Sequence, residues 1–464
     1  MAPGTEREQW GSKIGFILAA AGSAIGLGNI WKFPYVAGEN GGAAFVLIYI
    51  FFVMVLGLPI MIAELVIGRH TEKDPVGAFK AIAGGTKWEF VGYLGVLTGF
   101  FILTFYNVVG GWTIGYIVKS VMGEVTAVHD TATAQRVFSE FSANPALMIL
   151  YHFLFTATCM IIVVKGIRNG IERWSKVLMP LLFVILLILI GKGLSMEGGI
   201  AGLKFFLQPD FSKITMSSVI SALGQSFFSL SLGMGAMITY GSYLSRQDKI
   251  LHSALYIVFL DTFISILAGL AIFPAVFAMN MSPGEGPGLI FHIIPVVFGN
   301  MSYGIVFAVL FFVLLFIAAL TSAMSLLEVT VAYIIDEKGW SRRKAVCVFG
   351  TAIFFLGIPA ALSFGVMKNV TVFFGNTFFD FMDKLTSNYM LPIGGFFIAV
   401  CLGWKYGLEN TIHELDPDTR IISLKELWAF TIKFVSPFLL LLMFILLVKD
   451  DVAGILSGLT ELLR

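Results

Sequence analysis

The chain has 464 residues, of which 58% are hydrophobic and only 13% are charged, and its formal net charge is +1 at pH 7. A soluble domain of ordinary composition has about twice that charged fraction. These values exclude a typical soluble protein, give no support to a nucleic-acid-binding one, and indicate a polytopic membrane protein.

Apolar stretches long enough to cross a bilayer follow one another along the whole chain. The polar N-terminus runs directly into the first of them, so we expect no cleavable signal peptide. The predicted spans are residues 12–36, 41–68, 90–118, 147–164, 176–192, 215–244, 251–278, 302–335, 345–366, 376–403 and 427–447.

The first span is interrupted in its middle by the sequence GSAIGLGN, from Gly22 to Asn29. Glycine weakens a helix interior, and the Asn29 amide needs hydrogen-bond partners once it is buried. Inside hydrocarbon, a broken backbone is stable only where protein or a cavity satisfies its polar groups. Two interpretations fit this stretch. One is a helix break that exposes oxygen ligands near mid-membrane, and the other is a glycine-rich face for close helix packing.

The sixth span favours the first interpretation. It contains GQSFFSLSLGMGAMITYG, in which glycines and polar residues divide another apolar run. Interrupted spans at matching positions of two halves are typical of secondary transporters built from inverted repeats. The pattern predicts one transmembrane domain over 1–464, with a first repeat at 12–192, a second at 215–403 and an extra helix at 427–447.

The distribution of lysine and arginine predicts the orientation. These residues precede span one and follow spans two, four, six and eight, whereas residues 279–300 contain none. We therefore expect a cytoplasmic N-terminus and, with eleven spans, an external C-terminus. The 279–300 stretch is rich in glycine and proline yet apolar, which fits either a lid folded into an external vestibule or an ordinary surface loop.

Several polar side chains fall inside apolar spans. A carboxylate such as Asp261 is costly there and usually functional, although hydroxyl neighbours can also satisfy a structural acid. Glu64 lies near a helix end, and we interpret it as structural. Thr321 and Ser322 offer hydroxyls to a hard cation such as sodium, but such hydroxyls also bond to the preceding helical turn.

No pattern of a catalytic centre is present. Cys159, Cys347 and Cys401 lack the spacing of metal ligands or of a disulfide framework. The sequence also lacks a nucleophile elbow and a phosphate loop, so an enzyme has no support.

Motifs along nearly the whole chain resemble the neurotransmitter:sodium symporter family, which has the LeuT fold. The eleven spans and the Gly-Met-Gly of span six resemble its bacterial branch. The resemblance implies an all-α polytopic membrane protein with a 5+5 inverted repeat and with helices one and six broken. The motifs are REQWGSKIGFILAAAGSAIGLGNIWKFPY, ENGGAAF, GQSFFSLSLGMGAMITYGSY, AALTSAMS and DKLTSNYMLP.

The resemblance implies two sodium sites. In the first, the substrate carboxylate completes the ligand shell, and in the second, backbone carbonyls and hydroxyls share the ion. Site one would use Ala24, Asn29, Ser229 and Asp261, and site two would use Gly22, Ile25, Ala318, Thr321 and Ser322.

Asp261 stands where many family members have Asn. Chloride-dependent members hold an anion near the first sodium, and a fixed carboxylate supplies the same negative charge. We therefore expect transport without a chloride requirement. Ser265 matches a chloride-site position of the dependent members, which points the other way.

The resemblance also implies a substrate site between the broken helices. Tyr106 would bond the substrate carboxylate, and Phe228 would close over it. Gly26 stands where monoamine-transporting members have Asp, which favours a zwitterionic α-amino acid. Met234 would admit aliphatic and aromatic side chains, or it serves only as packing. The full set is Ala24, Gly26, Leu27, Gly28, Ile102, Tyr106, Phe228, Ser229, Ser231, Met234, Ser322 and Leu326.

The gates resemble those of the family less completely. Lys32 replaces an Arg of the outer gate, so the bidentate pairing with a carboxylate is lost. Asp383 is the acid nearby in sequence, while Thr386 takes the usual acid's place. The expected inner latch is Arg7 with Asp336, aided by Trp10 and Tyr243.

Span five begins with Gly170, which precedes Pro180 by nine intervening residues. In the family this pattern is linked to unwinding of the inner helix end, which hydrates the second sodium. A helix that simply begins near Pro180 is the alternative.

These expectations describe a symporter that moves aliphatic and aromatic L-amino acids into the cell with two sodium ions and without chloride. Its partners would be the amino acid, sodium and the lipid bilayer of the cell membrane, with no nucleic acid and no obligate protein partner. An ion channel is the first alternative, disfavoured by the two broken helices. An amino-acid receptor is the second, disfavoured by the short cytoplasmic segments.

Overall fold

The computed structural model describes residues 8–84, 87–281, 289–372, 375–407, 411, 415 and 422–462, and side chains at 289, 422–424 and 450–462 are not described. Within these ranges the regular elements are all helices. In chain order they are α1 (Lys13–Ala24), α2 (Gly28–Glu39), α3 (Ala43–Thr71), α4 (Pro75–Ala83), α5 (Glu89–Val121), α6 (Thr131–Ala143), α7 (Pro145–Val163), α8 (Ile167–Leu194), α9 (Gly199–Leu207), α10 (Met216–Ser229), α11 (Ala236–Gly241), α12 (Ile250–Ala278), α13 (Ile290–Gly299), α14 (Gly304–Lys338), α15 (Arg342–Leu362), α16 (Phe378–Tyr406) and α17 (Lys425–Lys449).

Among the described residues, nine helices are long and apolar enough to cross a membrane, or ten if the bent pair α1 and α2 counts as one span. The predicted sixth span is divided between α10 and α11, which are 14 and 6 residues long. The prediction of an all-α polytopic membrane protein is confirmed, whereas the count of eleven spans stays a prediction.

The first span breaks where its glycines predict. Helix α1 ends at Ala24, and α2 continues from Gly28 at an angle of 52°. The start of α1 is capped by Ser12, whose side chain accepts a hydrogen bond from the Gly15 amide. The residues between the two helices place backbone groups in the interior of the protein, and side chains satisfy some of them, as where the Gly26 amide donates to Asn29 Oδ1 at 3.1 Å.

The sixth span breaks for a similar reason. The chain between α10 and α11 includes Ser231, Gly233 and Gly235, which all have positive φ angles. Two glycines adopt this left-handed backbone without strain, whereas Ser231 needs support from its surroundings. Its hydroxyl donates to the Ser23 carbonyl oxygen at 2.9 Å, which joins the two breaks.

The fifth span is longer than predicted. Helix α8 begins at Ile167 with a π-helical turn, Ile167–Glu172, and continues through Pro180. Its basic residues Arg168, Arg173 and Lys176 lower the hydropathy of the first turns, yet the helix continues through them. The alternative of a helix that begins near Pro180 is wrong.

The core forms where the broken helices meet the long ones. Helix α5 packs along α14, α1 contacts α12 and α14, and α11 packs against α3. This last contact is very close, since a Cβ atom added at Gly68 of α3 would lie 2.0 Å from the Ile238 carbonyl oxygen.

We therefore expect Gly68→Ala to push α3 and α11 apart. Overpacking of this kind costs about 1–3 kcal/mol, so the apparent melting temperature of the detergent-solubilised protein should fall. Gly191→Ala in α8 is the matched control, because a Cβ atom there has nothing within 4 Å. Equal melting temperatures for the two variants would contradict this account of the contact.

Candidate functional site

Asp261 of α12 lies at the centre of a hydrogen-bonded cluster beside the first break. The Asn29 amide nitrogen donates to Asp261 Oδ1 at 2.7 Å and to Ser229 Oγ at 3.0 Å. The Ser229 hydroxyl donates to Asp261 Oδ2 at 2.9 Å. Ser265 Oγ lies 2.8 Å from the same Asn29 nitrogen. The structure thus brings together three of the four residues predicted for sodium site one, and Ala24, the fourth, is the last residue of α1.

Tyr49 of α3 also belongs to this cluster, although it is not among the residues predicted from the sequence. Its ring is fully buried, and its hydroxyl lies 3.1 Å from Ser229 Oγ and 3.4 Å from Asp261 Oδ2. A buried phenol needs a hydrogen-bond partner. The same argument that singled out Tyr106 could have found Tyr49, although its partners in α10 and α12 could not be read from the sequence.

The cluster favours a small cation on electrostatic grounds. Asp261 is fully buried, and its described partners are an amide and two hydroxyls rather than a basic side chain. A carboxylate buried without a positive partner is costly. These hydrogen bonds fit a structural acid, and oxygen ligands without a basic side chain also suit a bound cation.

The residues predicted for sodium site two lie where α1 approaches α14. A Cβ atom added at Gly22 would lie 3.2 Å from Thr321 Cβ. The Thr321 hydroxyl donates to the carbonyl oxygens of Ile317 and Ala318 at 3.0 Å and 3.1 Å. The Thr321 hydroxyl thus bonds to the preceding helical turn, as the alternative to a sodium site predicted. Its oxygen still has lone pairs that could bind a cation. Ile25, the C-terminal cap of α1, is fully buried.

Gly26 lies in the tightest part of the first break. A Cβ atom added there would lie 2.6 Å from the Tyr106 hydroxyl oxygen and 3.0 Å from Ser322 Cβ. The Tyr106 oxygen accepts a hydrogen bond from the Leu27 amide at 3.0 Å. The position therefore has no room for a side-chain carboxylate.

A cavity of about 310 Å³ ends on these residues. Leu27, Gly28, Tyr106 and Phe228 of the predicted substrate set line it. The other members of that set do not line this cavity and are buried in the protein; they are Ala24, Gly26, Ile102, Ser229, Ser231, Met234, Ser322 and Leu326.

Helix α13 covers one side of this cavity. Its Phe291 is 3% exposed and packs against the rings of Trp112 and Tyr116, with centroids 5.5 Å and 5.1 Å away. Of the two alternatives for the 279–300 stretch, the described part of the segment fits a lid folded into the vestibule. Residues 282–288 lie outside the described residues.

Lys32, the residue predicted for the outer gate, contacts an aromatic ring rather than a carboxylate. Lys32 Nζ lies 4.3 Å from the centroid of the Phe228 ring, a cation–π contact. Asp383 lines the same cavity and accepts a hydrogen bond from the Ser387 hydroxyl at 2.8 Å. Thr386 is buried and bonds back to the Met382 carbonyl oxygen at 2.9 Å. Lys32 thus contacts an aromatic ring that lines the cavity.

At the end predicted to be cytoplasmic, the inner end, Trp10 fastens the segment before α1. Its indole nitrogen donates to the Tyr240 carbonyl oxygen at 3.0 Å. The Tyr243 hydroxyl donates to Glu328 Oε1 at 2.7 Å. The Arg342 guanidinium donates to Glu328 Oε2 at 2.7 Å and to Oε1 at 3.0 Å. Arg7, expected in the inner latch, lies outside the described residues. The Glu328–Arg342 pair is a closing contact that the sequence analysis did not find.

Asp336, the expected latch acid, also bonds to the loop after α3. Its Oδ2 accepts from the Asp74 amide at 2.9 Å, while the Asp74 side chain caps α4 by accepting from the Val76 amide at 2.9 Å. Burial, and then the negative charge of Asp336, raise the pKa of Asp74 to about 7. The Asp74 side chain is therefore expected to gain or lose its proton near neutral pH.

Two further acids hold the broken segments. Glu64 Oε1 accepts from the Gly233 amide at 2.7 Å, which satisfies a donor in the second break and fits its structural interpretation. Glu172 in the π-helical turn of α8 accepts from the Gly11 amide at 2.6 Å and from the Ser12 hydroxyl at 3.0 Å. The turn that contains Gly170 is thereby tied to the start of α1.

The chain is similar to known proteins over almost its full length. The family model described as "Sodium:neurotransmitter symporter family" matches residues 7–144 and 143–453. The chain is 40% identical over 450 residues to the uncharacterized sodium-dependent transporter YhdH of Bacillus subtilis, covering 97% of this chain and 98% of that protein. It is 28% identical to the sodium-dependent serotonin transporter of Drosophila melanogaster, covering 95% of this chain and 76% of that protein.

A solved structure is similar as well. The crystal structure of MhsT in complex with L-phenylalanine superimposes with a TM-score of 0.87 at 43% sequence identity. The match covers 95% of this chain and 99% of that chain, so the two share one fold over almost their full length.

We expect Glu328→Gln to loosen the inner closure, since Arg342 would lose the charge of its buried partner. Amide hydrogen exchange of residues 8–16 should rise about tenfold or more, equivalent to about 1.4 kcal/mol of local stability. Glu124→Gln, which removes the exposed ion pair with Lys119, is the matched control and should leave this exchange unchanged. Unaltered exchange in both variants would show that the Glu328–Arg342 pair does not hold this segment.

Proposed function

This chain belongs to the sodium:neurotransmitter symporter family, and we propose that it couples the uptake of hydrophobic L-amino acids to sodium by alternating access. It is a multi-pass membrane protein with sodium-dependent transporters among its relatives. The observation that carries the proposal is the buried Asp261 carboxylate, which is surrounded by neutral oxygen and amide groups at the break of α1.

We assign the first sodium to Asn29, Ser229 and Asp261 with the Ala24 carbonyl, and the second to Thr321, Ser322 and the carbonyls of Gly22, Ile25 and Ala318. Oxygen ligands suit a hard cation of this kind. A Cβ atom added at Gly22 would lie 3.2 Å from Thr321 Cβ. This closeness of α1 to α14 at Thr321 supports the second assignment.

The substrate would bind between the breaks as a zwitterion. The amide groups at the start of α2, the first sodium and the Tyr106 hydroxyl would meet the carboxylate, since a helix N-terminus favours a negative group. The last carbonyls of α1 and the Phe228 backbone would meet the ammonium. The crowding at Gly26 supports an α-amino acid over a bare amine, which would need a protein carboxylate there.

The proposed side-chain pocket is apolar and adaptable. Ile102, Met234 and Leu326 are each no more than 3% exposed. The flexible thioether of Met234 would adjust to aliphatic and aromatic side chains. The neighbouring structure, solved with L-phenylalanine, supports an aromatic amino acid as one substrate.

Two sodium ions would make the coupling strong. Each charge that crosses a potential of about 100 mV gains about 2.3 kcal/mol. Two ions with a zwitterion of no net charge thus supply about 4.6 kcal/mol, which corresponds to roughly thousandfold accumulation. One ion would supply only the square root of that ratio.

The proposed cycle uses both ends of the molecule. The outer path closes when Phe228, held by Lys32, and α13 cover the substrate. The inner path opens when the Trp10 and Glu328 contacts break and α8 unwinds at Gly170, with Pro180 limiting the unwinding. The site would lie in the cell membrane with the N-terminus in the cytoplasm and the C-terminus outside, and without an obligate protein partner.

The first test is uptake of labelled L-leucine into proteoliposomes with an inward sodium gradient. We expect saturable accumulation that disappears when potassium replaces sodium. Thr321→Val should reduce it more than about tenfold by removing a sodium ligand, whereas Thr330→Val, a buried hydroxyl of the same helix without a described partner, should not. Binding without accumulation would support a receptor instead.

The second test concerns chloride. Uptake by the unaltered protein should be equal in chloride and in gluconate, because Asp261 supplies the negative charge. Asp261→Asn should make uptake depend on chloride, with several-fold stimulation. Glu64→Gln, which removes another fully buried acid, is the control and should create no such dependence. A chloride requirement in the unaltered protein would contradict the assignment.

A further inference from the structure

A second cavity lies at the inner end of α8, outside the transport path. Its volume is about 760 Å³, and its lining residues are Lys165, Asn169, Arg173, Trp174 and Val177. These side chains are all exposed at the protein surface. The cavity therefore combines two cations, an amide, an indole and an aliphatic side chain at the point where a spanning helix enters the membrane.

The polar groups of this cavity have no partner of their own in the described part of the chain. The nearby acid in sequence, Glu172, is occupied by the Gly11 amide, the Ser12 hydroxyl and Lys176. Lys165 lies in the turn before α8, Asn169 and Arg173 lie four residues apart within the helix, and all three line the same cavity. Two unpaired cations and an amide donor are the groups that bind a phosphate.

The apolar groups continue this line into the membrane. Beyond the cavity, α8 presents a stripe of side chains that are between 39% and 58% exposed. Its members recur at intervals of three or four residues, so they form one lipid-facing strip about 21 Å long at 1.5 Å per residue. They are Trp174, Val177, Leu181, Val184 and Ile188.

We propose that this surface binds one anionic phospholipid. Its phosphate lies between Lys165 and Arg173, its glycerol region lies at Trp174, and an acyl chain follows the strip to Ile188. The order of the groups along α8, cation, indole and aliphatic side chain, is the order of headgroup, interface and hydrocarbon in a bilayer leaflet. A soluble phosphate would use only the first of these three zones.

The site has a consequence for α8. Lys165 and Arg173 flank the π-helical turn Ile167–Glu172 on either side of Gly170. This turn packs tightly, since a Cβ atom at Gly170 would lie 2.2 Å from the Ile162 carbonyl oxygen. A headgroup that bridges both cations holds the turn wound. This consequence rests on the proposed unwinding of α8, whereas binding of the lipid does not.

The test measures retention of phosphatidylglycerol by the purified full chain in detergent, using native mass spectrometry over a lipid titration. Lys165→Gln combined with Arg173→Gln should weaken binding about 30-fold, at about 1 kcal/mol per cation near an anionic headgroup. Arg343→Gln combined with Lys344→Gln removes the same charge from another exposed site of α15 and should weaken it less than about twofold. Phosphatidylcholine should bind the unaltered protein as weakly as phosphatidylglycerol binds the first double variant.

Three results would overturn the proposal. They are equal losses in the two double variants, equal retention of both lipids, and displacement of phosphatidylglycerol by millimolar inorganic phosphate, which would identify a soluble anion as the ligand. Sodium-dependent uptake by the double variant is measured in parallel. If uptake is lost in every protein while lipid binding persists, the proposed function fails and the lipid site stands.

Discussion

The structure depends on one electrostatic constraint, a carboxylate held in the interior of a membrane protein without a basic partner among the described residues. Asp261 is fully buried and receives hydrogen bonds from Asn29 and Ser229, which reach it from the two broken segments. Neutral donors lower the cost of that charge but do not cancel it. A cation bound at the proposed first sodium site would cancel it.

The breaks themselves are stable because other side chains satisfy their backbone groups. Tyr106 accepts from the Leu27 amide, Glu64 accepts from the Gly233 amide, and Gln225 donates to the Gly28 carbonyl oxygen at 2.9 Å. Irregular backbone at membrane depth needs such partners. These side chains thus fix the two breaks between which the proposed substrate site lies. A helix packed only through glycines would not need these partners. The packing interpretation of Gly22–Asn29 therefore does not explain the side chains that bond to the broken backbone.

The local features of the chain were predictable, and the distant ones were not. Glycines and amides in an apolar run predicted the breaks, because they oppose a continuous helix within a few residues. The contact of Tyr49 with Asp261 joins residues 212 positions apart, and that of Tyr243 with Glu328 joins residues 85 apart. No local pattern encodes such pairs. The early start of α8 was missed because its basic residues lower the hydropathy without ending the helix, and the cavity boundary depends on how side chains pack. The assignments of individual ligands therefore remain predictions.

The central claim is that Asp261 and Thr321 belong to two separate sodium sites. Equilibrium binding of radioactive sodium to the purified protein in the presence of substrate tests it most directly. We predict two ions per chain in the unaltered protein and about one fewer in each of Asp261→Ala and Thr321→Val, since each substitution removes a ligand from one site only. Unchanged stoichiometry in both variants would contradict the two-site account. Binding of no more than one sodium ion by the unaltered protein would contradict it as well.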